Sequence, residues 1–207
     1  MQVISHLYDN YADARAAVQE LERAGVPHSD ISIVANNTDG WYANRGSDRI
    51  IDRDGDGEDD RTEATETGAG VGAAVGGGAG LLAGLGIMAI PGLGPVVAAG
   101  WLAATAAGAI AGGLAGGLIG RLTEAGVSEE DAHLYAEGVR RGGALVTAKV
   151  SDGDVTRLKA LMSNSAVDVE SRREAYRSSG WNQFDPDAPP YTSDQVRAER
   201  DRWASTV

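Results

Sequence analysis

The chain has no cysteine. That excludes disulfides, thiolate metal sites and a cysteine nucleophile, and it fits a cytoplasmic setting. Basic residues are also scarce, with 18 Lys and Arg against 30 Asp and Glu and a formal charge of −12. Neutralising a phosphate backbone needs clustered cations, and the only basic doublets are Arg140-Arg141 and Arg172-Arg173. DNA and RNA are therefore excluded as partners. The N-terminus, MQVISHLYDNYADAR, lacks the basic start and apolar run of a signal peptide, since Asp9 interrupts it. Any membrane contact is expected from within the chain.

Catalytic signatures are missing as well. The three histidines, His6, His28 and His133, show no metal-ligand spacing. They read as ordinary surface or packing residues. There is no GxxxxGK[ST] and no GxSxG, and nothing pairs a nucleophile with a base. The string Gly68, Gly70, Ala73 imitates a dinucleotide fingerprint. It follows an acidic loop rather than a strand, and no acidic residue follows for over fifty positions. No enzyme activity and no small-molecule substrate is expected.

The most conspicuous shortage is of charge in one place. From Thr67 to Gly120, 54 positions carry no charged residue, while residues 1–66 hold 15 acids against 6 bases. Pro91-Gly92-Leu93-Gly94-Pro95 divides this run into 68–90 and 96–120. As helices, each half would be about 35 Å long, enough to cross a bilayer core of roughly 30 Å. Gly68, Gly72, Gly76, Gly80 and Gly84 recur every fourth residue, as do Gly108, Gly112, Gly116 and Gly120. On a helix that spacing makes a stripe without side chains, along which another helix can approach closely. Each glycine costs about 1 kcal/mol relative to alanine in a water-exposed helix. A hairpin packed in lipid or against a second copy is therefore expected, with a loose Gly/Ala linker as the bland alternative.

On either side of the run the pattern is that of a folded domain. Gln2–Tyr8 is β-rich. Asn10 can cap a helix with Ala14, Ala17, Val18 and Leu21 at helical spacing, Gly25 lies past its end, and residues 30–35 alternate as a strand. Residues 144–150, 154–164 and 166–171 repeat the plan as strand, helix and strand. Two βαβ halves predict an α+β fold, a ferredoxin-like sandwich of four strands and two helices, split by the glycine-rich α-helical hairpin. The boundaries follow: 1–36 for the first half, 37–66 for an acidic linker, 67–120 for the hairpin, 121–175 for a connecting helix and the second half, and 176–207 for the tail. Ser128 and Asp131 resemble a capping box at the start of the connecting helix. Deleting 67–120 should, on this reading, leave a folded domain.

Two further stretches stand out. Asp52, Asp54, Asp56, Gly57, Asp60 and Glu63 match the spacing of an EF-hand calcium loop, oxygen ligands around a turn-forming glycine. Asp59 stands where such loops carry an apolar anchor, so a solvated acidic linker is the competing reading, and Ca2+ is the cofactor the loop would take. In the tail, WNQFDPDAPPYT precedes a charged helix capped by Thr192 or Ser193, and its prolines make the connection extended. Trp181, Phe184, Tyr191 and Trp203 are expected to dock this tail onto the same molecule or a neighbour.

HLYDNYADARAAVQELERAGVPHSDISIVANN resembles the start of YflT-type general stress (heat-induced stress) proteins, and DAHLYAEGVRRGGALVTAKV with AVDVESRR resembles their second half. GAGVGAAVGGGAGLLAGLGIMAIPGLGPVVAAGW is similar to the glycine-zipper insert of many bacterial members. The resemblance implies a non-enzymatic, stress-associated bacterial protein with no catalytic residues to carry over. Together with the glycine stripes it predicts homo-oligomerisation or membrane association through residues 67–120. A ferredoxin-like regulatory module binding a small ligand or metal is the alternative.

Overall fold

The computed structural model describes residues 1–42, 81–90, 92–103 and 116–204. Strand β1 (Gln2–Tyr8) leads into helix α1 (Tyr11–Arg23), where the Asn10 side chain accepts from the Asp13 amide. The predicted apolar face of α1, Ala14, Ala17, Val18 and Leu21, is buried. Strand β2 (Ile31–Asn36) follows and is buried along its whole length. Two strands then fall inside the uncharged run, β3 (Gly86–Ile90) and β4 (Gly94–Gly100). Helices α2 (Gly116–Glu124) and α3 (Glu129–Arg140) precede β5 (Ala144–Val150). The chain ends in α4 (Val155–Met162), α5 (Val169–Ser178) and α6 (Ser193–Ala204).

The sheet is antiparallel throughout, in the order β1-β5-β2-β4-β3. Both β1 and β2 run antiparallel to β5, with Ile4 and Ile31 each opposite Ala148. They are therefore parallel to each other, joined by α1 and separated by one strand. Side-chain alternation sends two apolar sets in opposite directions. Ile4, Tyr8, Ile31, Ile33, Val146 and Ala148 pack with Leu21 of α1 and with Leu158 and Met162 of α4. Leu7, Val34, Val96, Ala98 and Leu145 pack with Leu118 and Leu122 of α2 and with Tyr135 and Val139 of α3. The sheet is thus covered by helices on both faces, a three-layer arrangement where a two-layer sandwich was expected.

Contrary to expectation, the second βαβ half lacks its closing strand, because residues 169–178 are helix α5. Val167 and Val169 alternate like a strand, but Asp168 accepts from the Ser171 amide and caps a helix whose next residues favour that state. What remains of the predicted pairing is one bond, from the Val167 amide to the Leu7 carbonyl at 2.8 Å. The mixed α/β fold is as expected, but its sheet has five strands rather than four, in an order that residues 166–171 do not join.

The hairpin predicted as helical over 67–120 is not helical where it is described between residues 86 and 100. Residues 86–90 and 94–100 form a β-hairpin, and β4 pairs with β2 from Ser32–Gly100 to Asn36–Val96. The β-branched Ile87, Ile90, Val96 and Val97 suit a pleated surface, and β2 offers a free edge to pair. Gly100, at φ +86, permits the closest approach: a Cβ there would lie 2.1 Å from the Ile31 carbonyl oxygen.

Because β4 covers β2, the excision of 67–120 now has the opposite expected outcome. It removes two of five strands, uncovers Val34 and leaves the β2 backbone unpaired on one side. The shortened chain should lose cooperative thermal unfolding. A sharp transition with retained strand signal would show that β3 and β4 are dispensable.

Candidate functional site

The described residues place most of the remaining buried charge at one end of the sheet, where α3 and β1 finish. Glu137, in the last turn of α3, is 1% exposed. It accepts from Arg141 Nε at 2.7 Å and from Arg140 Nη1 at 3.4 Å. From α5 come Arg172 and Arg173, each 6% exposed. Arg172 Nη1 lies 2.8 Å from Asp9, just past the end of β1. Arg173 turns the other way, pairing with Glu170 at 2.7 Å, Glu130 at 3.2 Å and Asp131, and so ties α5 to the first turn of α3.

Aromatic rings fill the spaces between these cations. The Arg141 guanidinium carbon sits 4.0 Å from the Tyr176 ring centre, and that of Arg172 sits 3.7 Å from the Trp203 ring centre. Such contacts contribute about 0.5–2 kcal/mol each, more where water is excluded. The tail helix α6 completes the set. Glu199 lies 3.5 Å from Arg141 Nη1 and accepts from Trp203 Nε1 at 3.1 Å. Arg200 donates through Nε to the Gly142 carbonyl at 2.9 Å and through Nη1 to Asp39 at 2.7 Å. Tyr191, before α6, lies 5.2 Å from the Arg140 guanidinium.

The surroundings hold the Arg141 and Arg172 guanidinium groups charged and the Tyr176 phenol neutral. Burial works against the Arg141 charge, but Glu137 outweighs it and the guanidinium is held more strongly protonated than usual. Arg172 behaves alike, burial opposing and Asp9 prevailing. Burial pushes the Tyr176 phenol up to about 12, so it stays neutral. Between Tyr8, Arg141, Arg172, Tyr176 and Trp203 remains a cavity of about 10 Å³, at the lower limit for one water molecule. With its charges paired, the cluster joins the ends of β1 and α3 to α5 and α6.

The tail aromatics dock on the same molecule, as expected. Phe184 is buried in the α2/α3 core, Trp203 covers Arg172, and Trp181 meets Tyr176 edge-on at 5.8 Å. The histidines stay apart. His28 contacts Glu22 at 2.9 Å, His133 lies 3.9 Å from Glu129, and His6 lies on β1. The glycine series falls largely outside the described residues, namely Gly68, Gly72, Gly76, Gly80, Gly108 and Gly112. Gly84 ends a 3-10 turn and Gly116 and Gly120 belong to α2. A Cβ at Gly120 would meet nothing within 4 Å, so no close helix contact occurs at that position among the described residues. Asp52, Asp54, Asp56, Asp60 and Glu63 also lie outside them, and no group of three metal-binding side chains occurs among those described. No described helix is long and apolar enough to cross a membrane. Comparison with family models, curated proteins and solved structures finds no match.

The residues that sequence reasoning missed are Glu137, Glu199, Arg140, Arg141 and Arg172. Their one visible signal was that the chain's two basic doublets are both here. Glu137→Gln should destabilise the fold by about 3–5 kcal/mol, because two largely buried cations lose the buried carboxylate they share. Urea unfolding reads this directly, and a loss below about 1 kcal/mol, the surface-pair range, would mean that water replaces the pair freely.

His6 gives a pH test. Its Nε2 is buried without a hydrogen-bond partner among the described residues, and burial, aided by Lys159, holds its pKa below the usual 6.5. The folded state thus prefers the neutral ring. This contribution is complete above pH 6.5 and is lost as pH falls toward the lowered value. Stability should fall more steeply between pH 6.5 and 5 in the native protein than in His6→Gln. Parallel curves would exclude His6 as the source.

Proposed function

We propose that this chain is a non-enzymatic, bacterial stress-type association protein, whose uncharged run (residues 67–120) makes contact with a second copy of itself. The observation that carries this reading is a division of labour along the sequence. Among the described residues, the buried Glu137 and Arg172 and the largely buried Arg141 are paired in an internal network. Residues 86–90 and 94–100 of the uncharged run, by contrast, form strands at one side of the sheet, with Ile87 at 44% exposure. A Gly/Ala-rich segment anchored on a rigid sheet is suited to close packing against a like surface. A lipid surface is the competing partner for the same residues. β1, α1 and β2, with β5 between, have the connectivity of one split βαβ unit of ferredoxin-like domains, which supports a relation to that fold. A small-ligand module on that fold would need a pocket, and the 10 Å³ cavity beside Arg172 is too small to be one.

Glycine spacing makes the proposal testable. Gly76→Leu and Gly112→Leu place a bulky side chain on the two stripes, whereas Ala79→Leu lies off them. If close packing is the function, the stripe variants lose oligomer mass in light scattering and the control does not. If the run is a greasy anchor, all three raise recovery of the untagged protein in the membrane fraction. A monomeric native protein absent from that fraction would refute the association reading altogether.

A further inference from the structure

The hairpin β3–β4 and the tail are distant in sequence, yet they touch. A Cβ on Gly92, in the hairpin turn, would lie 2.8 Å from Pro186 Cα and 2.9 Å from Phe184 Cζ. One on Gly94 would lie 2.9 Å from Pro190 Cβ. Residues 184–190 thus cross directly over the turn that joins β3 to β4. Beyond them the tail is fixed at a few further points. Arg140 donates to the Pro189 carbonyl at 3.2 Å and Ser193 to the Thr38 carbonyl at 3.0 Å. Then α6 enters the arginine cluster through Glu199, Arg200 and Trp203. Within α6 only Val196 and Glu199 are buried.

We infer that the C-terminal segment 180–204 is a clasp that holds the β3–β4 hairpin on the sheet, locked at its far end by Trp203 and Glu199 in the arginine cluster. A segment with few buried anchors opens at lower free energy than the core it lies on. When it opens, β4 keeps its bonds to β2 but the turn loses the cover of Phe184 and the prolines. The hairpin is then the next element to loosen, and its turn at Gly92 to Gly94 gains access to a partner. This last step rests on the function proposed above.

The test acts on the lock, remote from what it controls. Trp203 touches Arg172 and Glu199, neither of which belongs to the hairpin. In the full-length Trp203→Ala variant, amide exchange at residues 86–100 should become severalfold faster, with β1 and β5 unchanged. Faster exchange confined to α6 would overturn the clasp. A second variant approaches from the opposite end. Gly92→Ala and Gly25→Ala impose the same backbone strain, at φ +75 and +90, but a Cβ at Gly25 meets nothing within 4 Å. Gly92→Ala should speed exchange in both the hairpin and residues 184–203, and Gly25→Ala in neither. An undisturbed tail in Gly92→Ala would again overturn the clasp. Light scattering on Trp203→Ala separates the two claims. A rise in mass with a loosened hairpin supports release for association. An unchanged mass with a loosened hairpin leaves the clasp standing and overturns the release step.

Discussion

β1 and β2 run parallel with a strand's width between them, so neither can pair its inner backbone groups until β5 enters antiparallel to both. Unpaired backbone in a buried sheet is expensive, and only a third strand can supply the partners. β5 is encoded beyond the uncharged run and two helices, so the sheet cannot close until distant parts of the chain meet. The entropy of closing such a loop rises only slowly with its length. A long insertion between Asn36 and Ala144 is therefore tolerable, provided that the strand which follows it is apolar on both faces. β5 meets that requirement: Leu145 and Val146 are both fully buried, one toward each helical layer.

From this constraint comes the uneven legibility of the sequence. β1, α1, β2, α3, β5 and α4 were readable from local pattern, for example the caps Asn10 of α1 and Ser128 of α3 or the alternation of Ile31 and Ile33 in β2. Periodicity failed where two states share one pattern. Val167 and Val169 alternate over too short a span, and the Asp168 cap decides for helix. The hairpin failed for a different reason. Glycine every fourth residue describes a possible helix face, but it carries no information about whether a sheet edge stands ready to pair. β2 is such an edge, and 94–100 joined it. The third layer was equally hidden, since only the β1-β5-β2 order shows that strands buried on both faces need helices on both.

The candidate site was legible only in its ingredients. Arg140-Arg141 and Arg172-Arg173 were visible as too few cations for nucleic acid, and Trp203 as an aromatic in need of a surface. That they meet depends on α5 being a helix: helical spacing sends the adjacent Arg172 and Arg173 to Asp9 and Asp131 on different elements. As a strand, 166–171 would have lain along β1 and could not have bridged to α6. Buried ion pairs of this kind add little net stability over apolar packing. Their consequence is register. An α5 or α6 displaced by one turn leaves Glu137 or Arg172 buried without its counter-charge, a penalty that apolar packing would not impose.

The same distinction applies to the absence of charge from 67 to 120. In β4 it is required by the fold whatever the protein does, because Val96, Val97, Ala98 and Ala99 are all buried. In α2 the inward positions Leu118 and Leu122 are likewise constrained. These residues say nothing about a partner. The informative positions are those where a charge would be harmless. Gly86, Ile87 and Ala89 on the outermost strand are exposed, and Gly120 has open space around it. Edge strands ordinarily carry a lysine, proline or inward charge that discourages pairing with other chains, and β3 (Gly86–Ile90) carries none. The tail covers the turn at Gly92 and Gly94 rather than this strand, so among the described residues β3 is an edge kept apart from other chains neither by charge nor by cover.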